Sequence, residues 1–163
     1  MSETAIREFR PADMEAIVHV AIAAWEPIYA NYRRLMGDDL FFTAFPDWQQ
    51  EKARQVRTAC TPPSTAIVYV AEKDGRIVGF VTFYANDASG IGEIGNNAVH
   101  PDHQGLGIGP RMYERAFDRL RERGMRFVKV STGGDAAHAP ARKAYGKVGF
   151  SIQLPGVDYF RAL

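Results

Sequence analysis

The sequence predicts an α+β fold in three layers, a mixed sheet with helices on both faces. Three observations lead there. Helical patterns fall between strand patterns, a two-residue turn joins two β-branched runs near the middle, and a glycine-rich loop links an apolar run to an amphipathic one. The chain has 163 residues, 46% hydrophobic and 24% charged, which suits one globular domain over residues 4–163.

Thr4 to Phe9 reads as the first strand. Arg10-Pro11-Ala12-Asp13 then offers a helix start, followed by Ile17, Val20, Ala21 and Ala24 at helical spacing. Pro27, which has no N–H, is expected to break or restart that helix. Asp47 can cap a helix from Trp48 to about Arg57, closed by Thr61-Pro62-Pro63. Ala66 to Glu72 and Ile77 to Tyr84 flank Asp74-Gly75, a strong hairpin signal. After a turn at Asn86 to Gly90, Ile91 to Val99 is a further strand. The next helix places Tyr113, Ala116, Phe117 and Leu120 on one stripe. Its Arg111/Glu114, Arg115/Asp118 and Arg119/Glu122 pairs read as a solvated face. Gly124 ends it, Arg126 to Ser131 is a strand, and a short helix runs from about Ala139 to Val148. Phe150 to Gln153 and Asp158 to Leu163 are expected as closing strands.

Bulk properties narrow the function. Twenty basic and nineteen acidic residues leave a net charge of +1, so no field draws the chain to nucleic acid or to a membrane. The single Cys60 excludes an internal disulfide and suits a reducing compartment. Met1-Ser2-Glu3-Thr4 lacks the pattern of a signal peptide, and no apolar run is long enough to span a bilayer, so a cytoplasmic location is expected. His100, His103 and His138 with Asp102 are too loosely spaced for a metal site, and none is expected.

Val99-His100-Pro101-Asp102-His103-Gln104-Gly105-Leu106-Gly107-Ile108-Gly109 carries the most specific signal. Glycines let backbone N–H groups approach a ligand closely, and a helix start adds unpaired N–H groups and the positive end of its dipole. A strand, a glycine loop and a helix start together suit a phosphate. The P-loop is excluded because Pro110-Arg111 stand where Lys and Ser or Thr are needed. The dinucleotide fingerprint fails because position 110 is Pro. Pro110 is harmless if it stands at the first helical position, but it removes one donor. Leu106, Gly107, Ile108, Gly109 and Arg111 are then left to hold the phosphates.

That loop, taken with Ala141-Arg142-Lys143-Ala144-Tyr145-Gly146-Lys147-Val148-Gly149-Phe150, resembles the GNAT superfamily of acyl-CoA-dependent N-acetyltransferases. Gln104, Gly107 and Gly109 match the family's Gln/Arg-x-x-Gly-x-Gly/Ala, with Val99 and Pro101 at the usual preceding positions. Ala141, Tyr145, Gly149 and Phe150 match its second signature, and the order of elements fits from about Thr4 to Leu163. The resemblance implies a mixed, mostly antiparallel sheet splayed at the CoA site and flanked by helices. It also implies acetyl-CoA as co-substrate, transfer of acetyl to an amine of a small molecule or peptide, and a possible homodimer.

Acetyl transfer needs a base for the amine, a donor for the oxyanion and an acid for the thiolate. Glu93 is the candidate base. It lies roughly 20 Å up the strand from Val99, where a CoA arm held at Gly105 to Gly109 would bring its thioester. Its other reading is a salt-bridged strand glutamate. Gly95-Asn96-Asn97 suggests a bulge, and the resemblance implies that the backbone N–H of Asn97 or Ala98 polarises the thioester carbonyl. Tyr145 is the family's general acid, or else a core tyrosine. His138 stands where the family often has an Asn contacting the CoA arm. Trp25, Tyr29, Tyr32, Phe41, Phe42, Phe45 and Trp48 crowd the segment expected to wall the acceptor cleft, with Leu154 to Asp158 opposite. Asp38-Asp39 could attract a cationic amine, but reads rather as a solvated turn. The reading is a direct-transfer N-acetyltransferase; a non-catalytic acyl-CoA-binding sensor module is the alternative.

Overall fold

The structure, a computed structural model, describes residues 4–163, so the expectation about a leader at residues 1–3 falls outside it. Five strands form one sheet in chain order: β1 (Ala5–Glu8), β2 (Ile67–Lys73), β3 (Arg76–Asn86), β4 (Ile91–Val99) and β5 (Phe127–Val130). All neighbours are antiparallel except β4 and β5. A parallel pair needs a crossover, here α4 (Ile108–Glu122). The remaining helices are α1 (Met14–Met36), α2 (Asp38–Ala44), α3 (Trp48–Ala59) and α5 (Ala139–Lys147).

Alternation along the strands builds two cores. Tyr69, Ala71, Val81, Phe83 and Ile94 pack with Met112, Ala116, Phe117 and Leu120 of α4 and with Tyr145 of α5. Val70, Phe80 and Ala98 face the other way, against Ile17, Val20 and Ala21 of α1 and Ala53 and Val56 of α3. This is the expected three-layer α+β arrangement. Each fully buried large side chain, Phe80 and Phe83 among them, contributes roughly 1.5–3 kcal/mol. Ile94 and Ala98 have the same parity yet lie on opposite faces. One extra residue between them explains it: Val81 pairs with Asn97 but Phe83 pairs with Ile94, so Gly95 and Asn96 together oppose Thr82. The expected bulge is present.

The Asp74-Gly75 hairpin forms as expected, with both residues at positive φ, 52° and 73°. Four expectations need correction. Pro27 does not end its helix; α1 runs unbroken for 23 residues, its first half anchored by the buried Ile17, Val18, Val20 and Ala21. Asp38-Asp39 is no turn but the first turn of α2, where acidic side chains favour the helix N-terminus and Asp38 pairs with Arg33 at 2.7 Å. Pro110 is the third helical residue, because α4 begins at Ile108; an N–H there still has no intrahelical partner to lose. Finally, residues 150–163 form no strand. Phe150 packs edge-on against Phe117 and Tyr145, but Ile152, Leu154, Val157 and Tyr159 beyond it are exposed. Apolar alternation predicts a face, whereas a strand also needs a partner ladder, and Pro155 can donate no bond to one. Among the described residues no helix is long and apolar enough to cross a membrane.

Candidate active site

The sheet opens where β4 outlasts β5. Parallel pairing covers Ile91 to Ile94 against Phe127 to Val130 and stops there, while β4 continues to Val99. The bulge lies at this fork. Gly95 fits it because a Cβ would fall 2.7 Å from Thr82 Oγ1, and Thr82 donates through that oxygen to the Asn96 carbonyl at 3.2 Å. A cavity of about 690 Å³ fills the opening, lined by β4 from Glu93 to Val99, by Gln104, Gly105, Ile108 and Gly109, by α1, and by α5.

One end of the cavity is the glycine loop. Gly105 and Gly107 have φ of 77° and 75°, and left-handed Gly107 is the residue from which α4 starts. Among the described residues, no backbone carbonyl outside the helix receives a bond from the N–H groups of Gly105 to Gly109. Gln104 Nε2 donates to the Val99 carbonyl at 3.0 Å, folding the loop onto the strand end. These features fit an anionic ligand. Leu106, Gly107 and Arg111 lie outside the cavity wall; Leu106 is exposed, and Arg111 donates to the Thr4 carbonyl at 2.8 Å. Arg111 thereby ties α4 to the residue that precedes β1.

Further in, three side chains meet. Tyr113 Oη donates to Asn97 Oδ1 at 2.7 Å, and Asn97 Nδ2 donates to the Gly95 carbonyl at 2.9 Å. The Tyr145 hydroxyl lies 3.5 Å from Asn97 Oδ1 and 3.4 Å from Nδ2, both long contacts. Burial pushes the phenols of Tyr113 and Tyr145 upward, so both hydroxyls keep their protons at neutral pH. Tyr145 is thus a largely buried ring whose hydroxyl makes only long contacts with Asn97 and interacts with the Tyr113 hydroxyl. Tyr113 was legible only as one of a core stripe; its distance to Asn97 is a tertiary fact.

Glu93 lines the same cavity, and its Oε2 pairs with Lys129 Nζ at 3.0 Å across the parallel ladder. Both members are exposed, so the pair is worth at most about 1 kcal/mol and a second cation can displace Lys129. On the opposite side stand Trp25, Pro27 and Ile28 of α1, with His138 and Ala141 at the start of α5. His138 Nδ1 lies 2.5 Å from Asp135 Oδ2, an arrangement the sequence reading missed although the i,i+3 spacing is visible. Of the aromatic segment, Trp25 alone lines this cavity. Tyr29 stacks on Trp48 at 4.3 Å along a separate groove, and Phe41 is core. Leu154 to Asp158 contributes nothing to the cavity wall, because that segment never joins the sheet.

The acetyltransferase (GNAT) family pattern matches residues 25–150. The chain belongs to this family. A mycothiol acetyltransferase from Thermomonospora curvata is 33% identical over 145 residues, covering 86% of this chain and 47% of that protein. The chain spans less than half the length of the curated relatives it matches. Among solved structures, PaiA N-acetyltransferase from Thermoplasma acidophilum, in complex with coenzyme A, superposes with a TM-score of 0.72 at 16% identity, over 93% of this chain and 91% of that one. A GNAT acetyltransferase from Brucella melitensis in complex with acetyl-CoA has a TM-score of 0.59 at 23% identity, over 97% and 95%. These likenesses show the shared fold.

Proposed function

We propose that this chain, as one domain over residues 4–163, is an acetyl-CoA-dependent N-acetyltransferase that moves the acetyl group directly to a primary amine of a small molecule or peptide. The observation that carries this reading is a single cavity with an anion-suited glycine loop at one end and the Tyr145 hydroxyl and Glu93 carboxylate further along β4. Relatives that are acetyltransferases and structural neighbours holding CoA or acetyl-CoA support the choice of donor.

In this reading the N–H groups of Gly105 to Gly109 hold the pyrophosphate, with Gln104 bracing the loop. The acyl arm follows Asn97, Ala98 and Val99, beside His138 and Ala141, in the fork between β4 and β5. A backbone N–H at Asn97 or Ala98 stabilises the oxyanion as the amine attacks the thioester carbonyl. Glu93 draws the cationic acceptor in competition with Lys129 and takes its first proton. Tyr145 donates to the departing sulfur. No acyl-enzyme step is needed: burial raises the Cys60 thiol to about 11, leaving little thiolate at neutral pH, and Cys60 is not in the cavity wall. Free-thiol release from acetyl-CoA in the presence of primary amines tests the reading.

A further inference from the structure

We propose that Asp135 and His138 are a second proton-accepting unit: Asp135 orients the imidazole, and His138 Nε2 takes the proton shed by the acceptor nitrogen as the new C–N bond forms. The inference deepens the N-acetyltransferase reading and rests on it. His138 lines the cavity that also holds Asn97 and Tyr145. Its side chain and that of Asp135 are only 12% and 17% exposed. An ionised carboxylate can only accept, so His138 Nδ1 carries the hydrogen donated to Asp135 Oδ2 at 2.5 Å. With Nδ1 committed to Asp135, Nε2 is the ring nitrogen left to accept a proton.

The surroundings fix this geometry far beyond what a simple ligand contact needs. Asp135 Oδ1 accepts from Asn31 Nδ2 of α1 at 3.0 Å and from the Ala137 N–H at 2.9 Å. Arg142 of α5 grips the carbonyls of Gly133 at 2.6 Å and Asp135 at 2.7 Å. Gly133 must be glycine, because a Cβ there would overlap both the His138 ring and the Asp135 carboxylate. Burial alone would raise the Asp135 carboxyl, but bonds from His138 and the Ala137 N–H more than offset it and hold it low. Asp135 on its own turn and Tyr32 of α1, whose phenol feels Asp158, contact the imidazole; Arg142 on α5 binds the Asp135 carbonyl, and Glu93, His103 and Tyr145 line the same cavity.

Two acceptors suit the stoichiometry. An alkylammonium must lose two protons to become an amide, one before attack and one after. Glu93 passes the first to solvent. The nitrogen lone pair then forms the C–N bond, the carbonyl π pair moves to oxygen, and His138 takes the second proton. Collapse breaks the C–S bond, the electron pair leaves with sulfur, and Tyr145 protonates it. The imidazolium restores the tyrosine proton through solvent in the cavity. The products are one amide, one thiol and one released proton.

The test is steady-state turnover with acetyl-CoA and a primary amine that the wild type accepts, recorded across pH. His138→Gln should lower kcat by about 10² to 10⁴ without weakening acetyl-CoA binding. Exogenous imidazole should restore part of the activity of His138→Ala. Asp135→Asn should lower kcat and move the acidic limb of kcat/KM while the melting temperature is retained. A His138→Gln enzyme with full kcat and only a raised KM for acetyl-CoA would overturn the proposal and make His138 a cofactor contact. An unmoved pH profile in Asp135→Asn would overturn the positioning role. If the wild type binds acetyl-CoA but acetylates no amine, the transfer reading falls and the dyad with it; an active wild type with an indifferent His138→Gln sinks the dyad alone.

Discussion

Tyr113 donates its hydroxyl proton to Asn97 Oδ1 at 2.7 Å, and the Tyr145 hydroxyl reaches the same oxygen only at 3.5 Å. The Asn97 oxygen is already served by a short donor, so the Tyr145 hydroxyl at 3.5 Å is a poor competitor for it. Two tyrosines whose rings sit 5.5 Å apart thereby differ in their bonding to the bulge, Tyr113 by a short hydrogen bond and Tyr145 by long contacts.

Tyr145→Phe should accordingly cost little stability, because only long hydrogen bonds are lost, yet reduce turnover with acetyl-CoA binding intact. The missing interaction operates mainly in the transition state. Tyr113→Phe should do the reverse first, lowering stability by about 1–3 kcal/mol as Asn97 Oδ1 is left without its short donor. Melting temperature and turnover on the same preparations separate the two. Full turnover in Tyr145→Phe would return that residue to the core.

Gly107→Asp should abolish acetyl-CoA binding without unfolding the chain. Space for a Cβ exists at this position, but φ is 75° and the added carboxylate stands where α4 begins. Acetyl-CoA at about 100 times its Kd should stabilise the wild type by roughly 2.7 kcal/mol and leave the variant unchanged. An equal rise in melting temperature with NAD would contradict the assignment of the loop.

Lys52 makes stability depend on alkaline pH. Its ammonium lies 4.1 Å from the centre of the Trp25 ring, bonded to Gln55 Oε1 at 3.0 Å, and burial lowers it from 10.5 to about 8. Folding thus disfavours the charged form. Between pH 8 and 10.5 the folded chain has shed this proton while the unfolded chain still holds it, so stability rises with pH through that window. The contribution is fully present above 10.5 and gone below about 8. Lys52→Met should flatten the rise, measured by denaturant unfolding over that pH range.

The hairpin at Asp74-Gly75, the bulge at Gly95-Asn96 and the loop from Gln104 to Gly109 were legible because each depends on short-range backbone chemistry that few residues satisfy. Pro27 was misread because a lost helical bond, a local cost, was outweighed by burial of the helix's first half. The last fourteen residues carry a strand's alternation but no partner ladder, and pairing is not written in one strand's own sequence. The Asp135–His138 pair shows its spacing in the sequence, but Asn31, 104 residues away, completes it only in the fold. Glu93 was open to two readings, and the structure contains both features: it lines the cavity and it pairs with Lys129.

The most direct measurement is acetyl-CoA-dependent thiol release across a set of primary amines, with the acetylated amine identified by mass, for the wild type and Glu93→Gln. The wild type should release thiol and acetylated amine in equal amounts. Glu93→Gln should be slower by about 10² to 10⁴ near neutral pH and should recover towards high pH, where free amine is abundant. Thiol release without acetylated amine, or binding of acetyl-CoA with no turnover on any amine, would contradict the account and leave an acyl-CoA-binding module in its place.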